Sequence, residues 1–387
     1  MIPGEADTFS DQLRQRTATG LRRILREVAS PQGPRVTVAG RELLCFASNN
    51  YLALAAHPRV VAAVQQAAAE WGWGGGAAPL IVGHMSPHAR LERRLADFEG
   101  TEAALLCSTG YQANLAAVRS LAARGDVVLL DKLNHASIID AARGSGATVR
   151  VYPHGDLGKL ERLLARTASA RRRVIVTDTL FSMDGDFADL CRLVELKERY
   201  DALLCVDEAH ATGVWGQGGR GAADMMGVAD RIDVTVGTLS KALGGIGGFI
   251  AASQPIIDWV IQSAGAFIYS TALPPPACAA AEAALDVVAD EPDRRERLHA
   301  RANELREALR AQGWQLGDSE SQIVPILVGD ADRAMRLSAA LEAEGILVPA
   351  IRPPTVPRGR SRLRVSVCSE HETADIRRLV DALKRCA

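Results

Sequence analysis

Lys241 stands among small and hydroxyl-bearing residues in the stretch Val236-Gly-Thr-Leu-Ser-Lys-Ala-Leu-Gly-Gly-Ile-Gly-Gly248. Short apolar runs, Asp233-Val-Thr-Val236 and Gly248-Phe-Ile-Ala-Ala252, lead in and out. A lysine hemmed in this way is poorly placed as a solvated surface cation. A desolvated amine attacks carbonyl carbon, Thr238 and Ser240 offer hydroxyls, and glycines let backbone approach a ligand closely. Those features suit a lysine that forms a Schiff base with pyridoxal phosphate (PLP). A Gly-rich turn with a lysine at its edge is the plainer alternative.

PLP chemistry asks for more than a lysine. An acid must sit at the pyridine nitrogen, and Asp207 closes the apolar run Ala202-Leu-Leu-Cys-Val206. His135 is a flat group able to cover a ring, and His210, just after Asp207, can reach a phenolic oxygen. Gly110 and Tyr111 open a helix whose first N–H groups make an anion site. Asn49 and Asn50 suit a turn with amides facing a ligand. Singly, each has an ordinary reading: His135 as a turn histidine, Asp207 as a helix cap, Ser182 and Thr238 as turn hydroxyls.

What joins them is the pattern of elements. Seven short, mainly apolar runs (Ala103–Cys107, Val127–Leu130, Thr148–Val151, Val174–Thr177, Ala202–Val206, Asp233–Val236 and Phe249–Ala252) alternate with helical segments. Strands apolar on both faces belong to a sheet covered on both sides. The fold class is therefore α/β with a mostly parallel seven-stranded sheet, and ligands are expected at the carboxyl ends of its strands. His135, Asp207, His210, Ser182, Thr238 and Lys241 all follow such ends. Three regions are expected: an N-terminal helical arm over 1–45, a large α/β domain over 46–276, and a connector helix with a small C-terminal α+β domain over 277–387. The arm reads as helix from Thr8 to Val28, with Leu13, Leu21, Leu25 and Val28 on one face. Pro31 to Gly40 reads as turns, Pro274-Pro-Pro276 as a boundary, and Ile346 to Ile351 as one strand.

Composition narrows the function. The 387 residues carry a net charge of −1, with 48% hydrophobic and 24% charged residues. That balance argues against a nucleic-acid partner, which calls for a basic face. No apolar run reaches membrane-spanning length, and the N-terminus lacks a signal-like apolar core. Seven scattered cysteines without CxxC spacing read as reduced thiols of a cytoplasmic protein. His84 and His88 are separated by Pro87 and lack a third ligand, so no metal site is expected. Gly72-x-Gly74-x-x-Ala77 and Gly216-Gln-Gly-Gly-Arg-Gly221 lack a preceding strand and read as loops rather than dinucleotide sites.

From about Leu21 to its C-terminus the chain resembles the α-oxoamine synthases, a family of fold type I PLP enzymes. The markers are Ser48-Asn-Asn-Tyr-Leu52, Asn134-His-Ala-Ser137, Phe181-Ser-Met-Asp-Gly-Asp186, Asp207-Glu-Ala-His210, Gly237-Thr-Leu-Ser-Lys-Ala242 and Tyr269-Ser-Thr271. The resemblance implies that Lys241 holds PLP and serves as the base at the substrate Cα. Asp207 would pair with the pyridinium, His135 would stack on the ring, and Ser182 and His210 would bond its oxygen side. Gly110, Tyr111, Thr238 and Ser240 would hold the cofactor. Ser270 and Thr271 would reach the phosphate of a neighbouring subunit, which implies a homodimer. Arg352 would bind the amino acid carboxylate; Arg22, Asn50 and Thr355 join it on the substrate side. Ala350-Ile-Arg-Pro-Pro-Thr-Val-Pro357 resembles the loop of the branch that feeds biotin synthesis, which condenses L-alanine with pimeloyl-CoA or its acyl-carrier-protein form. Other readings are glycine with acetyl-CoA or another acyl-CoA, an aminotransferase or lyase, and a non-catalytic partner subunit. Ala77-Ala-Pro79 departs from relatives that carry a Ser-Arg pair there, which bears on the dimer contact.

Overall fold

The computed structural model describes residues 5–386. Helix α1 spans Glu5–Ala18 and stops well before Val28. Gly20 breaks it at φ +66, and the N–H groups of Leu21 and Arg22 fold back onto the Arg16 carbonyl. The leucine spacing misled because the arm has no core to face: Leu25 is 99% exposed. Residues 31–40 are not turns alone. They contain β1 (Arg35–Val38), which pairs antiparallel with β2 (Arg41–Cys45). Ala39 and Gly40 join them, both at positive φ, as a two-residue type I′ hairpin requires.

The main sheet consists of β3 (Ala103–Cys107), β4 (Val127–Asp131), β5 (Thr148–Tyr152), β6 (Arg173–Asp178), β7 (Leu203–Asp207), β8 (Val234–Thr238) and β9 (Gly248–Ala252), in the order β3-β9-β8-β7-β6-β4-β5. Only β9 runs against the others. Helices α2 (Pro58–Trp71) and α3 (Ser86–Glu99) precede the sheet; α4 (Gly110–Leu121), α5 (Ala136–Gly144), α6 (Leu157–Arg166) and α7 (Leu190–Arg199) connect its strands. Ala113, Ala117 and Val118 of α4 share one core with Val174, Val176 and Cys205. Leu160 and Leu164 of α6 and Leu193 of α7 share another with Ile175, Leu204 and Val206. Successive residues of β6 and β7 thus enter opposite cores, which is why no polar residue interrupts them. Each such side chain contributes about 1.5–3 kcal/mol on burial.

The proline triplet begins the next helix rather than preceding it. Pro274 is its cap, and Pro275 and Pro276 occupy the first turn of Pro275–Asp290, where no N–H is needed. Beyond it, β10 (Ile323–Gly329), β12 (Ala350–Ile351) and β13 (Ser361–Ser366) form an antiparallel sheet, while β11 (Ile346–Leu347) leaves it and pairs parallel with β2. The single strand expected over Ile346–Ile351 is therefore split between two sheets. Pro349, without an N–H, interrupts the ladder between them.

One close approach ties the sheet to α4. A Cβ on Gly248 would stand 2.6 Å from Gly110 Cα and 2.7 Å from Gly110 N, both backbone atoms that cannot swing away. Gly248→Ala should therefore destabilise by about 1–3 kcal/mol or more, as overpacking does. Thermal unfolding followed by circular dichroism would show it as a lowered Tm; an unchanged Tm would mean that α4 shifts freely.

Candidate active site

Lys241 lies in the turn after β8, pinned by the buried neighbours Leu239, Ala242 and Leu243. The Leu239 N–H donates to Gly247 O at 3.1 Å and the Gly245 N–H to Leu239 O at 2.8 Å, closing the turn. The lysine side chain is partly buried and makes no hydrogen bond or ion pair with any described residue. Burial lowers its pKa to about 8, against the pull of Asp207 and Asp178, with Arg364 adding to the fall. The result is an amine with an appreciable neutral fraction near physiological pH, far more than a solvated lysine has, which nucleophilic or base chemistry requires.

An anion cradle lies beside it. Thr109 caps α4 by accepting from the Gln112 N–H at 3.0 Å. That leaves the Gly110 and Tyr111 N–H groups without an acceptor among the described residues. Thr238 Oγ1 lies 2.8 Å from Ser240 Oγ and donates to Gly247 O at 3.0 Å. A Cβ on Gly110 would come within 3.2 Å of that Thr238 hydroxyl, so the glycine keeps the cradle open. The Tyr111 hydroxyl turns away and donates to Asp140.

Asp207, 4% exposed, ends β7 next to Asp178 at the end of β6. Its Oδ2 accepts from Asn114 Nδ2 at 2.6 Å and its Oδ1 from the Ala209 N–H at 2.8 Å. Asp178 accepts the His135 N–H at 2.7 Å. Burial and the nearby Asp207 push the Asp178 carboxyl well above the usual range. His135 caps α5, and its Nδ1 lies 2.7 Å from Ser137 Oγ. Although one face of the imidazole is open, burial of the rest lowers its pKa; Asp207 opposes that shift and Lys241 adds to it. Nε2 of His135 bonds no described residue.

His210 follows Asp207 in a run of turns. Its Nδ1 lies 2.7 Å from the Tyr51 hydroxyl, and burial, then Lys241, Arg364 and His135, hold it well below the ordinary histidine value. Arg364, from β13, ties this side together. It donates through Nε to Ser182 O, and through Nη1 to Asn49 Oδ1 at 3.1 Å and Ser366 Oγ at 2.8 Å. Arg362 reaches the same loop, donating to Met183 O at 3.0 Å and Asp184 Oδ1 at 2.7 Å. His154 braces the loop's far end between Asp131 (3.0 Å) and Asp186 (2.8 Å). Burial works against its charge, but those two carboxylates prevail and raise its pKa to about 10.

Three of the substrate-side residues, Arg22, Arg352 and Thr355, form their own group. Arg352 Nη2 donates to Arg22 O at 3.4 Å, and the Thr355 N–H donates to Arg352 O at 3.1 Å. Asn50 is 8% exposed; its Oδ1 accepts from the Ala55 N–H, while Nδ2 is buried without a partner. Ser270 and Thr271 do not enter this chain's cradle: Thr271 O accepts from Ser108 Oγ at 2.9 Å, and Thr271 itself is exposed. Sequence reasoning missed Asn114, Ser137, Asp178, Tyr51 and Arg364. The one available sign was a polar residue, Asn114, among the alanines of a buried helix face.

These residues fit PLP by their own chemistry. An unanswered pair of N–H groups with two hydroxyls suits the phosphate, an unpaired amine suits the aldehyde, and a buried acid lies beyond them. The neutral fraction of Lys241 rises as pH approaches about 8 from below. Uptake of PLP by the apo protein should therefore accelerate about tenfold per pH unit below that value and level off above it. Stopped-flow absorbance would check this; a rate still climbing near pH ~10, the value for a solvated lysine, would contradict it. Lys241→Ala should keep its far-ultraviolet circular dichroism yet resist covalent labelling by PLP and borohydride.

Comparison with known proteins places this geometry. The model of class I and II aminotransferases matches residues 41–383. The 8-amino-7-oxononanoate synthase of Geobacter sulfurreducens is 49% identical over 98% of this chain and 97% of its own length. That of Herminiimonas arsenicoxydans is 46% identical over 98% of each. Among solved structures, the serine palmitoyltransferase of Sphingomonas wittichii superposes with a TM-score of 0.94 at 30% identity, covering 100% of this chain and 98% of that one. A serine palmitoyltransferase from S. paucimobilis, solved with PLP and myriocin bound, gives the same score and identity over 100% and 98%. The 8-amino-7-oxononanoate synthase of Francisella tularensis gives 0.77 at 29% identity, over 89% and 97%. The chain is a PLP-dependent acyltransferase of fold type I, and it belongs to the class I and II aminotransferase family, in its α-oxoamine synthase branch.

Proposed function

We propose that this chain condenses L-alanine with a pimeloyl thioester, on CoA or on an acyl carrier protein, to give 8-amino-7-oxononanoate, the free thiol and CO2 in biotin synthesis. The observation that carries the reading is 46–49% identity to 8-amino-7-oxononanoate synthases over nearly the whole chain, against 30% to the serine palmitoyltransferases. Superposition alone ranks the serine palmitoyltransferases higher, at 0.94 against 0.77, so the reading rests on the full-length sequence identities.

Bound PLP supplies an electron sink for the negative charge that develops at the amino acid Cα. In this reading Lys241 carries the cofactor and then, once released, takes the Cα proton. Its lowered pKa lets it act near neutral pH. Asp207 would pair with the ring nitrogen, His135 would cover the ring, and His210 and Ser182 would bond the ring oxygen. The Gly110 and Tyr111 N–H groups with Thr238 and Ser240 hold the phosphate. Arg352 pairs with the alanine carboxylate, and Arg22, Asn50 and Thr355 line the acyl side. The bond from Cα to the acyl carbon forms as the C–S bond breaks and thiolate leaves. The bond to the carboxylate then breaks, releasing CO2, and Lys241 returns a proton to Cα.

A homodimer is part of this proposal. Leu80, Ile81 and Val82 are exposed, and their segment packs on Ala272, next to Ser270 and Thr271. An apolar patch of that kind marks an interface. The Ala77-Ala78-Pro79 departure leaves a backbone contact there, Ala272 N–H to Ala77 O at 3.0 Å, and no guanidinium. Among the described residues no helix is long and apolar enough to cross a membrane; we place the enzyme in the cytoplasm.

Thiol release by PLP-loaded protein tests the reading. Release is expected with L-alanine and pimeloyl-CoA or the pimeloyl carrier protein, and at least tenfold less with glycine and acetyl-CoA. The reverse preference would move the chain to the glycine branch. Failure with every pair, despite bound PLP, would overturn the reaction class.

A further inference from the structure

Asn114 has no place in the sequence-derived site, yet it touches the centre of it. It is 2% exposed on α4, one turn past the anion cradle at Gly110, about 6 Å along the helix. Its side-chain NH2 donates twice: to Asp207 Oδ2 at 2.6 Å and to Ser137 Oγ at 3.0 Å. The orientation follows from its neighbours. An oxygen turned toward Asp207 would face an oxygen already shown to accept, and only the amide nitrogen can answer both. The amide oxygen is left buried without a partner. A buried amide oxygen without a partner is unfavourable, so the value of this residue to the fold lies in its two N–H bonds.

Ser137, 0% exposed, passes the constraint on. Its hydroxyl, which accepts from Asn114, lies 2.7 Å from His135 Nδ1, and its backbone N–H donates to the same nitrogen at 3.3 Å. An Nδ1 that accepts this N–H leaves the proton of the neutral imidazole on Nε2, and the Ser137 hydroxyl then donates to Nδ1 as well.

Resting on the function proposed above, we propose that Asn114 is a positioning residue that holds the acid and the covering imidazole in one register. One helix, α4, then sets three things at once: the phosphate cradle through its first N–H groups, the Asp207 carboxyl through Asn114, and the His135 ring and tautomer through Asn114 and Ser137. His135 presents a fixed Nε2–H donor on the substrate side of the ring. Without the link, Asp207 and His135 would be set independently by β7 and by the start of α5.

Two variants and three measurements test this on the PLP-loaded enzyme. Asn114→Leu keeps the volume and removes both donors; Ser137→Ala is a milder cut that leaves Asp207 satisfied. Asn114→Leu should raise the Kd for PLP and lower kcat by on the order of 10–100-fold, the range seen when outer partners of ligating groups are removed. KM for the acyl thioester should stay within about twofold, since Arg22 and Thr355 are untouched. Ser137→Ala should lower kcat with little change in Kd for PLP. In ¹⁵N spectra of histidine-labelled protein, His135 should be the Nε2–H tautomer in the wild type and a mixture in both variants. A merely structural role would not move that signature. If the wild type binds PLP and turns over but the variants match it in kcat and tautomer, or if wild-type His135 carries its proton on Nδ1, the proposal falls and the function stands. A wild type that neither binds PLP nor releases thiol overturns the function and the proposal with it.

Discussion

Keeping one amine out of water without a partner is the condition around which this molecule is arranged. A buried lysine would ordinarily find a carboxylate, and an ion pair would quench its reactivity. Here Asp207 and Asp178 influence Lys241 through space without a hydrogen bond, because each is engaged elsewhere: Asp207 by Asn114 and the Ala209 N–H, Asp178 by the His135 N–H. Arg364 answers from the other side, held by Ser182, Asn49 and Ser366. The surrounding charges are therefore fixed before any ligand arrives, which is how a preorganised site avoids rearranging during reaction.

The same logic explains the two histidines. Both are held neutral, His210 by complete burial and His135 by partial burial with Lys241 close by. His154 goes the other way, because two carboxylates flank it. The contrast is one of role within a single rim. A charged histidine braces the Ser182 loop from outside, while neutral ones face the ligand space, where a fixed positive charge would compete with Lys241.

The parts of this arrangement that could be read from the sequence were those with local causes. Six of the seven strands were legible because burial on both faces leaves a mainly apolar run, β5 at the sheet edge because its valines alternate with polar residues, and the rim residues because they follow strand ends. The end of α1 was not, since Leu25 lies in solvent and its spacing answers to nothing. Nor was the division of Ile346–Ile351, which depends on β2 competing with β13 for adjacent residues. Asn114 and Arg364 escaped for a related reason: their partners, Asp207 and Ser182, are distant in the chain, and neither sits beside a strand end of the main sheet. Ser137 was quoted within a recognisable stretch, yet its job, holding His135 by Nδ1, is visible only with coordinates.

The two arginines of β13 carry a consequence for how the molecule comes into being. Lys241, Asp207 and Ser182 belong to the main sheet and its loops, but the loop bearing Ser182 is anchored by Arg362 and Arg364 of β13, which follow the whole of that sheet in the chain. The strand β11, which pairs with β2, is equally late. A chain growing on the ribosome can complete its main sheet and still lack the contacts that fix the Ser182 loop and the first hairpin. The sheet that carries Asp207 can thus form before the Ser182 loop is held, so the framework of the site and its final order are set by different parts of the chain.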